Sequence, residues 1–159
     1  MENYMLKKFL AAGLLFYALA VTPLGAANVS FLILETGLPA ESPVNRYSIL
    51  WENSLMEIFF ETGHIVSNAP MLRLNEKPAG NFPHEAERDF DDAKDGGMDY
   101  FFIALIDHKL PRNVSMRLFS IETQQMIQQQ IFTDTVSSTA KEEQEKIKKA
   151  IGTFVSGLW

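Results

Sequence analysis

Three histidines, a cluster of aspartates and one aspartate–histidine pair are the residues of this 159-residue chain whose types could do chemistry. Their spacing decides against most of it. His64, His84 and His108 each lack a second histidine or a cysteine three or four residues away, so no local zinc chelate is predicted. His84-Glu85 starts like a metalloprotease helix, but Arg88 stands where the second histidine is required. Asp89, Asp91, Asp92 and Asp95 lie beside Gly96-Gly97, yet Ala93 occupies the fifth position of a calcium loop and no glutamate closes the frame. A solvated helix face is the expectation there, with a calcium-dependent module as the alternative. Asp107-His108 imitates part of a triad, but neighbours in a strand point to opposite faces, and the pair reads as a turn. Neither a G-x-S-x-G elbow nor a Gly-rich phosphate loop occurs. The prediction is no catalytic residue, no cofactor and no metal site. The rival is a small hydrolase-like enzyme with its site split between loops Thr36 to Tyr47 and Asn75 to His84.

The elements that must position these residues follow a leader. Lys7 and Lys8 precede the uncharged run Phe9 to Val21, which has signal-core length and is short for a membrane-spanning helix. Thr22-Pro23 ends it, and Gly25 and Ala27 place small residues before a cut. Residues 1–27 are therefore predicted to be a cleavable signal peptide, cut between Ala27 and Asn28, with 28–159 as one domain. An uncleaved inner-membrane anchor is the alternative. No cysteine is present, which removes disulfides and the acylated cysteine of a bacterial lipoprotein, and fits a bacterial periplasm. Without the leader, 12 basic and 19 acidic side chains remain, a net charge of about −7. That balance opposes binding to nucleic acid or to anionic lipid by charge alone.

Val29 to Glu35 (VSFLILE) is an apolar, β-branched run expected of a strand covered on both faces. A loop follows to Tyr47, and Ser48 is expected to cap a helix over Ile49 to Thr62, ended by Gly63. His64 to Ser67 reads as a short strand that Met71 to Leu74 resumes, and Glu85 to Lys94 as a helix stopped by Gly96-Gly97. Tyr100 to Ile106, Val114 to Ile121 and Met126 to Thr133 are three strands, the last three of the sheet and antiparallel. Thr139 and Glu142 form a capping box for a final helix whose apolar stripe runs through Ile147, Ala150, Ile151, Phe154, Val155 and Leu158. The order β-α-β-α-β-β-β-α predicts an α/β sandwich with a mixed sheet of about five strands and about three helices. Met71, Leu72, Leu74 and Phe82 are apolar residues set among loop-forming Pro70, Pro78, Gly80 and Pro83, and are the candidate partner contacts.

Taken together, VSFLILE, SILWENSLMEIFFETGHIV, GGMDYFFIALI and VSMRLFSIETQQMIQQQIFTD, closed by the final helix, resemble the CsgG, TolB amino-terminal domain and LpoB group of bacterial envelope proteins. GGMDY is similar to that group's glycine-x-aspartate-tyrosine before a strand, and Ile121 to Ile127 to its turn before a polar strand. The chain departs from the group at Thr36-Gly37, where proline-phenylalanine is frequent, and at Gln124, where a turn glycine is common. The resemblance implies a non-enzymatic periplasmic domain that binds an envelope protein, without stable membrane insertion once the signal is removed. It carries over no partner-binding residue.

Overall fold

The computed structural model describes residues 25–39, 41–134, 137 and 139–156. Most of the predicted leader, residues 1–24, and Leu158 of the final stripe lie outside the described residues. β1 (Asn28–Thr36) is the strand around which the sheet is built, and every residue after Asn28 in it is buried. It pairs in parallel with β4 (Tyr100–Asp107), from Val29 against Tyr100 to Thr36 against Asp107. Its other side pairs in parallel with β2 (Ile65–Asn68) and then with β3 (Leu72–Arg73). β5 (Arg112–Ser120) and β6 (Gln125–Asp134) continue antiparallel, so the order is β2-β1-β4-β5-β6, with β3 extending the β2 edge.

Alternation along the strands builds two cores. Phe31, Ile33, Phe102, Ala104, Val114 and Met116 point to one face, covered by α1 (Arg46–Glu61) and α3 (Ala140–Ser156). Leu32, Leu34, Phe101, Ile103, Leu105 and Phe119 point to the other, covered by α2 (Glu87–Asp95) and the 3-10 turn His84–Ala86 before it. This is the expected α/β sandwich with a mixed sheet. No helix among the described residues is long and apolar enough to cross a membrane.

Two local expectations change. α1 starts earlier than Ser48: Asn45 is the cap, its side-chain oxygen accepting from Tyr47 N at 2.8 Å. Tyr47 and Trp51, four apart and both in the core, require a helical turn that already contains Ser48. Gln124, standing where a turn glycine is common, adopts φ 56° and takes the left-handed conformation of the β5–β6 turn itself. The other boundaries fall within a residue or two of their predicted places. The Thr139 hydroxyl accepts from Glu142 N at 3.2 Å, as a capping box requires.

Candidate functional site

In open α/β sheets, ligands bind beyond the carboxyl ends of parallel strands. Here those ends carry a polar cluster. Glu35 is the penultimate residue of β1, His108 follows β4, Ser48 lies in the first turn of α1, and Arg73 ends β3. Glu35 is only 2% exposed. Arg73 Nε and Nη2 donate to Glu35 Oε2 at 3.3 and 3.0 Å, while its Nη1 reaches the carbonyls of Pro39 and Ser42 and its Nη2 that of Pro43. His108 Nε2 lies 3.1 Å from Ser48 Oγ and 3.4 Å from Glu35 Oε1.

Serine, histidine and carboxylate thus meet, but not as a relay. A triad needs one ring nitrogen to take the serine proton and the other to donate to the carboxylate, and here Nε2 faces both. Ser48 is fully buried, and Arg73 holds the loop between β1 and α1 through three of its carbonyls. Outside it, a cleft of about 430 Å³ lies between loops 36–39 and 75–77. The two loops proposed for a hydrolase site do meet, but Asn75, Glu76, Lys77, Asp107 and Lys109 line the cleft, with neither Ser48 nor His108 among them. Asp107 Oδ1 accepts from Lys109 N and turns the chain, as expected of that pair. At Gly37, with φ 79°, a side chain would meet Asp107 Oδ1 at 3.0 Å, so proline-phenylalanine could not replace Thr36-Gly37 on this backbone.

A second ionic group adjoins the first through the edge-on contact of Tyr47 and His108, 6.2 Å between ring centres. Arg112 stacks over the Tyr47 ring at 3.8 Å and pairs with Asp134 and Glu143, tying β5, β6 and α3 to α1. Burial raises the Tyr47 hydroxyl above its ordinary range, keeping it protonated. These charges are spent on one another.

The remaining histidines stand apart. His64 Nδ1 accepts from Ala27 N at 3.2 Å, and exposed His84 pairs with Glu87. No group of three or more histidine, cysteine, aspartate or glutamate residues able to hold a metal occurs among the described residues. Burial lowers the pKa of both His64 and His108. Burial disfavours the charged ring of each in the fold, while the unfolded chain takes up protons from about pH 6.5 downward, so stability is full above that pH and falls as pH drops below it. The His84 shift is upward and acts in the opposite direction, but that pair is solvent-screened. The urea midpoint is expected to be lower near pH 5.5 than near pH 7.5, with a smaller difference in His108→Gln. An equal or higher midpoint at the lower pH would contradict this.

Of the four candidate contacts, Leu74 is buried in the α2-side core. Leu72 and Phe82 are half-buried against the same core, and Met71 against the opposite one. Phe82 stands edge-on to Phe90 and Phe119, at 5.3 and 5.0 Å. Met71 and Leu72 nevertheless lie at the β2–β3 edge, where larger apolar groups are open. Ile65 on β2 is 62% exposed and Phe60 on α1 is 74% exposed. Ile49, Met56 and Phe60 recur at intervals of seven and four, one exposed helical stripe. The opposite edge is β6, where Ile131 is 64% and Ile127 48% exposed. These residues carried a sequence signal, since apolar positions occur on both sides of α1 and within the polar strand. Only the strand order shows that they lie toward the outer strands, whose outer edges have no strand partner among the described residues.

No family model matches the chain, and no curated protein is similar to it in sequence. Solved structures are similar in fold. A single-substitution variant of the PelC dodecamer from Paraburkholderia phytofirmans superposes with a TM-score of 0.55 at 11% identity, over 81% of this chain and 89% of that one. A second crystal form of that PelC dodecamer gives 0.54 at 11% identity, over 81% and 87%. TolB from Acinetobacter baumannii gives 0.47 at 14% identity, over 83% of this chain and 29% of TolB. At such identities the PelC likeness shows the fold alone.

Proposed function

We propose that this chain is an exported, non-enzymatic protein-interaction domain that supports a bacterial cell-envelope assembly, and that it works as an oligomer of itself. One contrast carries the reading. The serine, histidine, carboxylate and arginine that meet at the strand ends are buried or nearly so and held by one another, whereas large apolar side chains of α1, β2 and β6 are open to solvent. Monomeric domains rarely leave such surface uncovered without a partner. The similar PelC structures are dodecamers, which supports the oligomeric part. Met71 and Leu72, at the β2–β3 edge, belong to the partner-facing surface in this reading.

Export rests on the leader. In the folded domain Ala27 is buried, and its carbonyl accepts from Ile65 N at 3.0 Å. A cut at Ala27–Asn28 therefore has to precede the pairing of β1 with β2. It would leave the new amino group of Asn28 beside Asp99, whose Oδ2 accepts from Asn28 N at 2.8 Å. Fractionation followed by intact-mass measurement tests this. The expected species is periplasmic and begins at Asn28; a membrane-bound species retaining Met1 would contradict it.

A further inference from the structure

We infer that the cleft between α2 and the β5–β6 turn receives an arginine side chain of a partner protein; the inference rests on the protein-interaction reading above and is independent of self-assembly. The cleft has a volume of about 300 Å³ and is lined by Phe82, Phe90 and Phe119 together with Glu87, Asp91 and Gln124. Aromatic rings beside carboxylates suit an organic cation. The rings attract positive charge through their faces and cover an apolar stem, and the carboxylates accept from its N–H groups.

The fold builds this cleft from separate elements. Arg117 of β5 is only 6% exposed, and its Nη1 donates to the carbonyls of Gly80 and Asn81 at 3.2 and 2.7 Å, which fixes the loop that carries Phe82. Phe82 then stands edge-on to Phe119 of β5 and Phe90 of α2, and Phe90 in turn to Phe101 of β4 at 5.5 Å. Phe90 and Phe119 are buried and Phe82 is half-buried, so the rings are held by the core beneath them. Glu87 and Asp91 lie four residues apart on α2 and share one face of it. Gln124 adds to the rim from the β5–β6 turn.

Charge selects the occupant. Between His84 and Asp95 there are six acidic and two basic side chains, and Arg88 is turned to Asp92. Exposed His84 pairs with Glu87, whereas Asp91 has no ion-pair or hydrogen-bond partner among the described residues. Such a field repels anions. A hard metal ion needs more oxygen ligands than this rim supplies, and phenyl rings offer it none. A guanidinium matches both parts of the site, since its plane stacks on aromatic rings while its N–H fork meets a carboxylate in two bonds. The compact, strongly hydrated ammonium of lysine uses the rings less well. Glu87, Asp91 and Gln124 are exposed, so a side chain projecting from a partner's surface can enter between them.

Two blocked tripeptides, acetyl-Ala-Arg-Ala-amide and its citrulline counterpart, are similar in shape and differ in charge, and a nuclear magnetic resonance titration of the wild-type protein with each tests the site. The arginine peptide should shift the signals of Asp91, Gln124 and the Phe82 ring, and should bind roughly tenfold more tightly than the citrulline peptide, the size of a partly desolvated cation–ring contact. Asp91→Asn and Phe82→Leu should each remove that preference. Asp91→Asn alters only an exposed side chain, and its unchanged melting temperature separates loss of the site from loss of the fold. Equal binding of the two peptides, or shifts confined to other residues, would overturn the inference. Tetramethylammonium binding more tightly than the arginine peptide would give the cleft to small organic ammonium ions and overturn it as well. The titration uses no partner, so its failure is distinct from failure of the interaction reading, which would show as a chain that forms no complex with itself or with another protein.

Discussion

Phe154→Ala is expected to destabilise the domain by about 3 to 5 kcal/mol, the usual cost of removing a buried phenylalanine. Phe154 has no solvent exposure and stands edge-on to Phe102 of β4, with ring centres 5.4 Å apart at 89°. It is where α3 meets the middle of the sheet. The loss combines apolar burial, a favourable aromatic contact and a cavity that the flanking Ile151 and Val155 cannot fill without moving the helix. The Phe154 carbonyl also accepts from Gln128 Nε2 at 2.9 Å, which fixes the end of α3 over β6. Urea unfolding measures the cost. A change within about half a kcal/mol, the range of ordinary surface substitutions, would mean that α3 does not close this core.

Arg73→Met should cost a comparable amount for a different reason. It strands the carboxylate of Glu35 in the interior, and breaking one side of a buried ion pair typically costs about 3 to 5 kcal/mol. It also frees the loop that Arg73 holds through the carbonyls of Pro39, Ser42 and Pro43. The companion change Glu35→Leu removes the stranded charge. The double variant is therefore expected to be more stable than Arg73→Met alone, giving a non-additive cycle. A double variant whose loss equals the sum of the two single losses would show that the pair is not coupled.

The strands were legible because burial on both faces leaves a local mark: VSFLILE and YFFIALI can be stable only between two layers, and the structure puts helices on both sides. The capping box at Thr139 was legible for the same reason, being confined to four residues. A serine beside an apolar stripe looks like a cap, but Asn45 caps α1 three residues earlier. Ser48 instead serves His108, sixty residues away. The polar cluster left no local signal, since Glu35 and Arg73 are 38 positions apart and meet only through the pairing of β1 with β3. One hint was present: a carboxylate near the end of an otherwise apolar buried strand needs a partner. The open edges were hidden in a similar way. QMIQQQIF reads as an ordinary polar-faced strand, and only the order β2-β1-β4-β5-β6 leaves its outer edge without a partner among the described residues.

Sedimentation velocity of the processed wild-type protein across micromolar concentrations is the most direct test of an interaction domain that assembles with itself. Discrete species at whole multiples of the mature chain mass, growing with concentration, are the expected result. A single monomeric species throughout would contradict it and would leave the apolar edges to a different protein.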